Sequence, residues 1–186
     1  MQSVIKFLTT KLKLKVNEQK SAVARPEDRH FLGFRLRCNP LDGTVDVLIS
    51  KRSKERIGEK IRELVPRNFG SSLAACIRRL NGYLQGWIGY FGISEYYRPI
   101  PELDDWLRRR VRMCYWKQWP NARTRVRHLL ALGTFKRTAI WTAISRKSYW
   151  HLSRSLGTQT AMTNDWLHSQ GLVSIRALWM KAHGYT

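Results

Sequence analysis

Apolar residues recur every three to four positions over most of this chain and every second position in a few short stretches near its start. Val4, Ile5, Leu8 and Leu12 fall at helical spacing, after which Leu12, Leu14 and Val16 alternate with Lys11, Lys13 and Lys15. This predicts a helix running into a half-buried strand. Residues 31–36 and 45–49 are further strand candidates, with Asp42-Gly43 between them as a hairpin-type turn dipeptide. These strands are too few to close a sheet, so the segment contributes an edge and a hairpin that other parts of the fold must cover.

From Ser50 onward the period is helical. Ser53 is a candidate cap for a helix in which Ile57, Ile61, Leu64 and Val65 share a face, ended by Pro66 and Gly70. Ser71 or Ser72 starts a second helix, whose long stripe is Leu73, Ile77, Leu80, Leu84, Trp87, Ile88 and Phe91. Within it Gly82, Gly86 and Gly89 lower helix propensity and are read as room for another backbone. Pro101 and Asp104 open a third helix, with Leu103, Trp106, Leu107, Val111, Cys114 and Tyr115 facing inward. Residues 121–186 form short amphipathic pieces separated by Gly133, Gly157 and Gly171. The expected fold is mainly α, a helical bundle preceded by a small α+β piece, in segments 1–50, 51–120 and 121–186.

Charge changes the picture. The 186 residues carry 34 Lys+Arg against 13 Asp+Glu, a formal charge of +21, and residues 106–186 hold 15 cations and one acid, Asp165. A chain of this length makes one or two small domains. A hydrophobic content of 43%, with 8 Trp, 7 Tyr and 6 Phe, excludes a basic disordered tail and leaves a folded protein that seeks polyanions. No apolar run has the length of a membrane span and residues 1–14 lack the stretch of a signal peptide, so a soluble cytoplasmic protein with no membrane partner is expected. Cys38, Cys76 and Cys114 are odd in number and far apart, and read as buried small hydrophobes; the five histidines are scattered, and no metal site is suggested.

The candidate chemistry is recognition of phosphate. Arg108, Arg109, Arg110, Arg112 and Lys117 occupy the faces of the third helix that its apolar stripe leaves free. Arg78-Arg79, Arg123, Arg125, Arg127, Lys136-Arg137 and Arg146-Lys147 extend the basic surface. Such density repels itself without an anion, and planar guanidinium forks suit phosphate. Tyr115, Trp116, Trp119, Tyr149 and Trp150 are interleaved with the cations; each is core by default and a base-stacking platform if exposed. Asp104-Asp105 is an adjacent aspartate pair; at a helix start it reads as a cap meeting the helix dipole rather than as a Mg²⁺ ligand. Motifs of nucleotide hydrolysis, serine esterases and zinc proteases are absent.

Two strings carry a family resemblance. Leu12-Lys13-Leu14-Lys15-Val16-Asn17-Glu18-Gln19-Lys20-Ser21 followed by Phe31-Leu32-Gly33-Phe34 resembles the last two palm motifs of group II intron reverse transcriptases. Arg67-Asn68, the run Leu80-Asn81-Gly82-Tyr83-Leu84-Gln85-Gly86-Trp87-Ile88-Gly89-Tyr90-Phe91 and Asp105-Trp106-Leu107-Arg108-Arg109-Arg110 are similar to their thumb, or maturase-specific, region. Gly171-Leu172-Val173-Ser174-Ile175 with Leu178-Trp179 resembles their C-terminus. The resemblance implies the end of a palm over residues 1–50, a thumb/maturase bundle over 51–120 and a basic helical extension over 121–186. It implies that Lys20 matches a palm lysine that assists leaving pyrophosphate, and that residues 31–34 match the segment gripping a primer.

The same resemblance places Mg²⁺ in the family's palm aspartates, including a Y-A-D-D turn that this sequence lacks, starting just after its expected position. Phosphoryl transfer of that kind depends on the metal ions. The chain alone is therefore expected to be non-catalytic and to need no cofactor, with Mg²⁺ serving an intact parent enzyme or the intron RNA. The expected partner is group II intron RNA, whose splicing the chain would assist by binding, with a DNA target for the parent ribonucleoprotein. Three rivals stay open: a piece or mis-assigned start of a full reverse transcriptase, a general basic nucleic-acid binder, and an inert relic.

Overall fold

A computed structural model describes residues 2–17, 24–39, 43–66, 68, 70, 72–95 and 97–185. Lys20, Asp42 and Ser71 lie outside them. The first helix, α1 (Gln2–Thr10), buries none of its residues. The strand expected over Leu12, Leu14 and Val16 does not form. Lys11 N–H donates to the Phe7 carbonyl (2.9 Å) and Leu14 N–H to the Leu8 carbonyl (3.0 Å), with Lys13 at φ +50°. The chain thus folds back onto the end of α1, which uses the donors a ladder would need.

Three antiparallel strands follow in the order β1 (His30–Phe31), β2 (Phe34–Cys38), β3 (Val45–Ile49), with Phe34 opposite Ile49 and Cys38 opposite Val45. The single strand expected over residues 31–36 is split by a tight turn at Leu32-Gly33, at φ +50° and +86°. Gly33 is required there twice over: its φ favours glycine, and a Cβ would lie 2.8 Å from Ser53 Oγ and 3.1 Å from the Phe91 ring. Two hydroxyls clamp the turn, Tyr90 donating to the Leu32 carbonyl and Ser53 to the Gly33 carbonyl, each at 2.9 Å. The hairpin is thereby docked onto the helices that follow it.

Helix α2 (Lys51–Leu64) is capped by Ser50, whose Oγ accepts from Ser53 N–H at 3.2 Å. The cap lies three residues before the expected one, because Ser53 is buried in the first turn holding Gly33. Helix α3 (Leu73–Phe91) starts at its Ser72 cap and buries Leu73, Ile77, Leu80, Leu84, Trp87 and Ile88, six members of the stripe read from the sequence. Helix α4 (Pro99–Gln118) begins two residues before Pro101, with proline in its first turn, where no amide donor is lost, and buries Leu107, Val111 and Cys114. These faces meet in one core with Ile57, Ile61 and Val65. Gly82, Gly86 and Gly89 have nothing within 4 Å of a Cβ, so no backbone among the described residues approaches them.

The remainder is six short helices: α5 (Ala122–Ala131), α6 (Lys136–Ile144), α7 (Tyr149–Leu152), α8 (Leu156–Ala161), α9 (Asn164–Ser169) and α10 (Ile175–Ala182). Gly133 and Gly171, at φ +87° and +86°, separate them as expected. Gly157 does not. It lies inside α8, where a Cβ would stand 2.3 Å from Thr142 Oγ1, so it serves close packing of α8 on α6. A second core gathers Trp116, Trp119, Leu129, Ala139, Leu152, Ala161 and Met162 at the end of α4. Helix α10 returns to the first core through Ile175 and Trp179. Cys76 and Cys114 are buried, whereas Cys38 is exposed at the end of β2, contrary to its reading as core. Among the described residues no helix is long and apolar enough to cross a membrane.

Opposite outcomes are expected for two glycine-to-alanine variants in urea unfolding. Gly157→Ala lowers stability by about 1–3 kcal/mol through overpacking against Thr142, while Gly82→Ala on the open face of α3 raises it by about 0.5–1 kcal/mol. Burial pushes the Cys114 thiol up to about 11. Iodoacetamide at pH 8 is therefore expected to label Cys38 in the folded protein and to reach Cys114 only in denaturant, as read by mass spectrometry.

Candidate nucleic-acid interface

The cations picked out from the sequence divide into two groups. The first is held by contacts within the protein. Arg110 is 7% exposed, its Nε donating to the Val65 carbonyl (2.9 Å) and Nη2 to the Arg62 carbonyl (3.2 Å). It closes the C-terminal end of α2, where carbonyls have no helical partner. It therefore does not occupy a free face of α4. Arg112 donates from Nε to the Met162 carbonyl (2.7 Å) and from Nη2 to Asn164 Oδ1 (2.9 Å), binding α4 to the start of α9. Arg125 donates to the Trp119 carbonyl (2.9 Å) and lies over the Trp116 and Tyr149 rings. Arg109 donates to the Trp150 carbonyl (3.0 Å) with its guanidinium 3.9 Å from the centre of that ring. Lys117 reaches Asn68 Oδ1, and Arg79 the Cys76 sulfur.

Arg108 is held by the most buried acid in the fold. Asp104 lies in the second turn of α4, 1% exposed, and does not cap its own helix. Its Oδ1 accepts from the Ile175 amide (2.8 Å), and its Oδ2 from the Ser174 hydroxyl (2.9 Å) and the Arg108 guanidinium. It caps α10 from across the core. Burial pushes the carboxyl up, while Arg108, the Ile175 amide and Ser174 pull it back. With both oxygens engaged and Asp105 turned toward solvent beside Arg108 (3.6 Å), the pair does not fit a Mg²⁺ site.

The second group faces outward. Arg78, Arg123, Arg127, Arg146 and Lys147 are exposed, and no carboxylate among the described residues pairs with them. The segment 31–34, likened in sequence to a palm motif, is exposed at Phe31 and Leu32, while Gly33 is enclosed and Phe34 packs on Tyr90 and Phe91 at 5.5 and 5.1 Å between ring centres. Trp116 and Trp119 are core, Tyr115 packs on Trp166, Trp150 lies under Arg109, and Tyr149 is exposed.

Sequence reasoning missed two strongly exposed aromatics. Phe135 is 84% and Trp141 66% exposed, with Ile140 and Ile144 beside Trp141 on α6. This helix buries its small side, Ala139, Thr142 and Ala143, against the rest of the fold and turns its bulky side out. The legible signal was the spacing of 139, 142 and 143 at i, i+3 and i+4, a second face competing with the large residues. Lys136 and Arg137 stand exposed on the same helix.

Residues 54–133 match the family model described as the group II intron, maturase-specific domain. The chain carries a group II intron maturase-specific domain. No curated protein matched the sequence. The maturase-specific domain runs from the first turn of α2 through α5 to Gly133, and so contains Arg78, Arg123 and Arg127. Arg146, Lys147 and the outward face of α6 follow it in sequence.

Replacing Arg110 by Ala is expected to destabilise the maturase-specific domain by about 2–4 kcal/mol, since two buried carbonyls lose their donor and the aliphatic stem leaves the core. Arg78→Ala is expected to shift stability by less than about 0.5 kcal/mol. Parallel thermal unfolding of the two variants checks the division.

Proposed function

We propose that this chain binds group II intron RNA and favours the folded, splicing-competent form of the intron, the RNA carrying out its own Mg²⁺-dependent chemistry. The match over residues 54–133 supplies the intron connection. The observation that carries the binding is exposure: arginines with no paired carboxylate among the described residues, together with the aromatic rings of Phe135 and Trp141 that the fold leaves in solvent. Phosphate contacts give affinity through counterion release, and exposed rings stack on unpaired bases, which is how folded RNA is recognised at loops and bulges. Assistance to splicing follows by population shift: a protein that binds one RNA conformation more tightly favours it by that differential affinity.

Filter binding with intron RNA tests this. Affinity is expected to fall by roughly 10³-fold or more between 50 and 200 mM salt if six or more phosphates are contacted. At matched salt, random duplex DNA is expected to compete poorly. Trp141→Ala is expected to weaken binding by about tenfold with unchanged folding, the size of one base–aromatic stack. Equal affinity for duplex DNA, or a flat salt response, would refute the proposal.

A further inference from the structure

The two arginines of α4 that touch the C-terminal helices line a cleft of about 780 Å³ that the binding face above does not include. One side of it is a stripe of α4 in which charge changes sign along the helix: Glu102 and Asp105, then Trp106, then Arg109 and Arg112. The facing side, contributed by residues 153–164 beyond the matched domain, adds a third guanidinium, Arg154, exposed and with no acid paired to it among the described residues. Arg109 Nε is buried and has no hydrogen-bond partner. Burial, and secondarily the nearby Arg154 charge, pull the Arg109 guanidinium below its ordinary value. The cationic end thus asks for an anion.

The acidic end asks for something else. Glu102 and Asp105 would repel a phosphate placed beside them, so a purely anionic ligand fits half the cleft. Asp105 and Arg112 are seven residues apart, about 10 Å along a helix, the length scale of one nucleotide. A carboxylate accepts from the exocyclic amine of cytosine and finds only an acceptor at the corresponding position of uracil.

The geometry points to a pocket for a single nucleotide splayed out of an RNA strand, its phosphate against Arg109, Arg112 and Arg154 and its base amine facing Glu102 and Asp105. This rests on the RNA-binding reading and adds a base preference to it. The cleft is a selective subsite joining the maturase-specific domain to the helices that follow.

Fluorescence anisotropy with labelled 12-mer oligocytidine and oligouridine tests it on the full chain. The wild type is expected to bind oligocytidine about fivefold more tightly. Arg154→Gln is expected to weaken both by about tenfold and to reduce the salt slope by about one. Glu102→Gln with Asp105→Asn is expected to erase the preference, because a side-chain amide can donate to uracil as readily as it accepts from cytosine. All three side chains are exposed, so unfolding midpoints should stay unchanged and report intact variants. Equal binding of the two oligomers by the wild type, an unaffected Arg154→Gln, or a preference that survives the acid substitutions would each overturn the pocket. Failure of the wild type to bind either oligomer would likewise overturn the pocket, whereas failure to bind intron RNA in the same assay would overturn the RNA-binding reading on which it rests.

Discussion

The fold depends on one buried carboxylate. Asp104 holds the start of α10 to α4 across 71 positions of sequence, through the Ile175 amide and the Ser174 hydroxyl. A charge taken out of water is expensive unless donors replace the lost hydration. Here an amide, a hydroxyl and a guanidinium do so at the terminus of a helix, where amide hydrogens are unsatisfied and the dipole is positive. Without that carboxylate the N-terminal end of α10 would lose its anchor, and with it Ile175 and Trp179 would lose their place in the first core. Arg108, which carries a charge that a polyanion could otherwise use, is committed to the same cluster.

That commitment exemplifies how this protein uses arginine. A chain with so few acids cannot neutralise its cations by ion pairs, and the structure answers with backbone carbonyls. Arg110 closes α2, Arg112 ties α4 to α9, Arg125 ties α5 to the end of α4, and Arg109 lies over Trp150. Guanidinium is suited to this because its planar donors meet several carbonyls while its weak hydration makes burial cheaper than for an ammonium. Arginine density along α4 is therefore a poor measure of available charge, and Arg78, Arg123, Arg127, Arg146 and Lys147, exposed and without a paired carboxylate among the described residues, lie elsewhere.

The helical stripes of α2, α3 and α4 were legible because period and caps agreed: Ser72 opens α3 and the apolar positions from Leu73 to Ile88 bury as their spacing requires. The hairpin was legible in its strands and illegible at Leu32-Gly33, where a turn is imposed by hydroxyls from α2 and α3. Lysine-leucine alternation at residues 11–16 misled because a period of two signifies a strand only if a neighbouring strand is present to pair. The role of Asp104 was invisible for a like reason: its partners arrive from Ser174 and Ile175, and local sequence marks only a helix start. On α6 the rule that bulky residues go inward failed because Gly157 brings α8 so close to Thr142 that only small side chains fit between. Apart from residues 11–16, these errors have one origin, a tertiary neighbour overruling a local preference.

The inversion on α6 and the clamping on α4 have a joint consequence for recognition. Arg123 and Arg127 on α5 and Trp141 on α6 stand on helices held by the Arg125 bond to the Trp119 carbonyl and by the close contact of Thr142 with Gly157, so on the proposed reading this part of the binding surface is set before a ligand arrives. A surface ordered in advance spends less of its interaction free energy on ordering side chains. It also discriminates by shape, because a rigid face cannot follow an RNA that is misfolded, and preference for one conformation is the property through which binding alone can shift a folding equilibrium. On the proposed reading, the guanidinium groups that only brace the scaffold, Arg110 and Arg125, act on RNA at one remove, by holding still the side chains that would touch it.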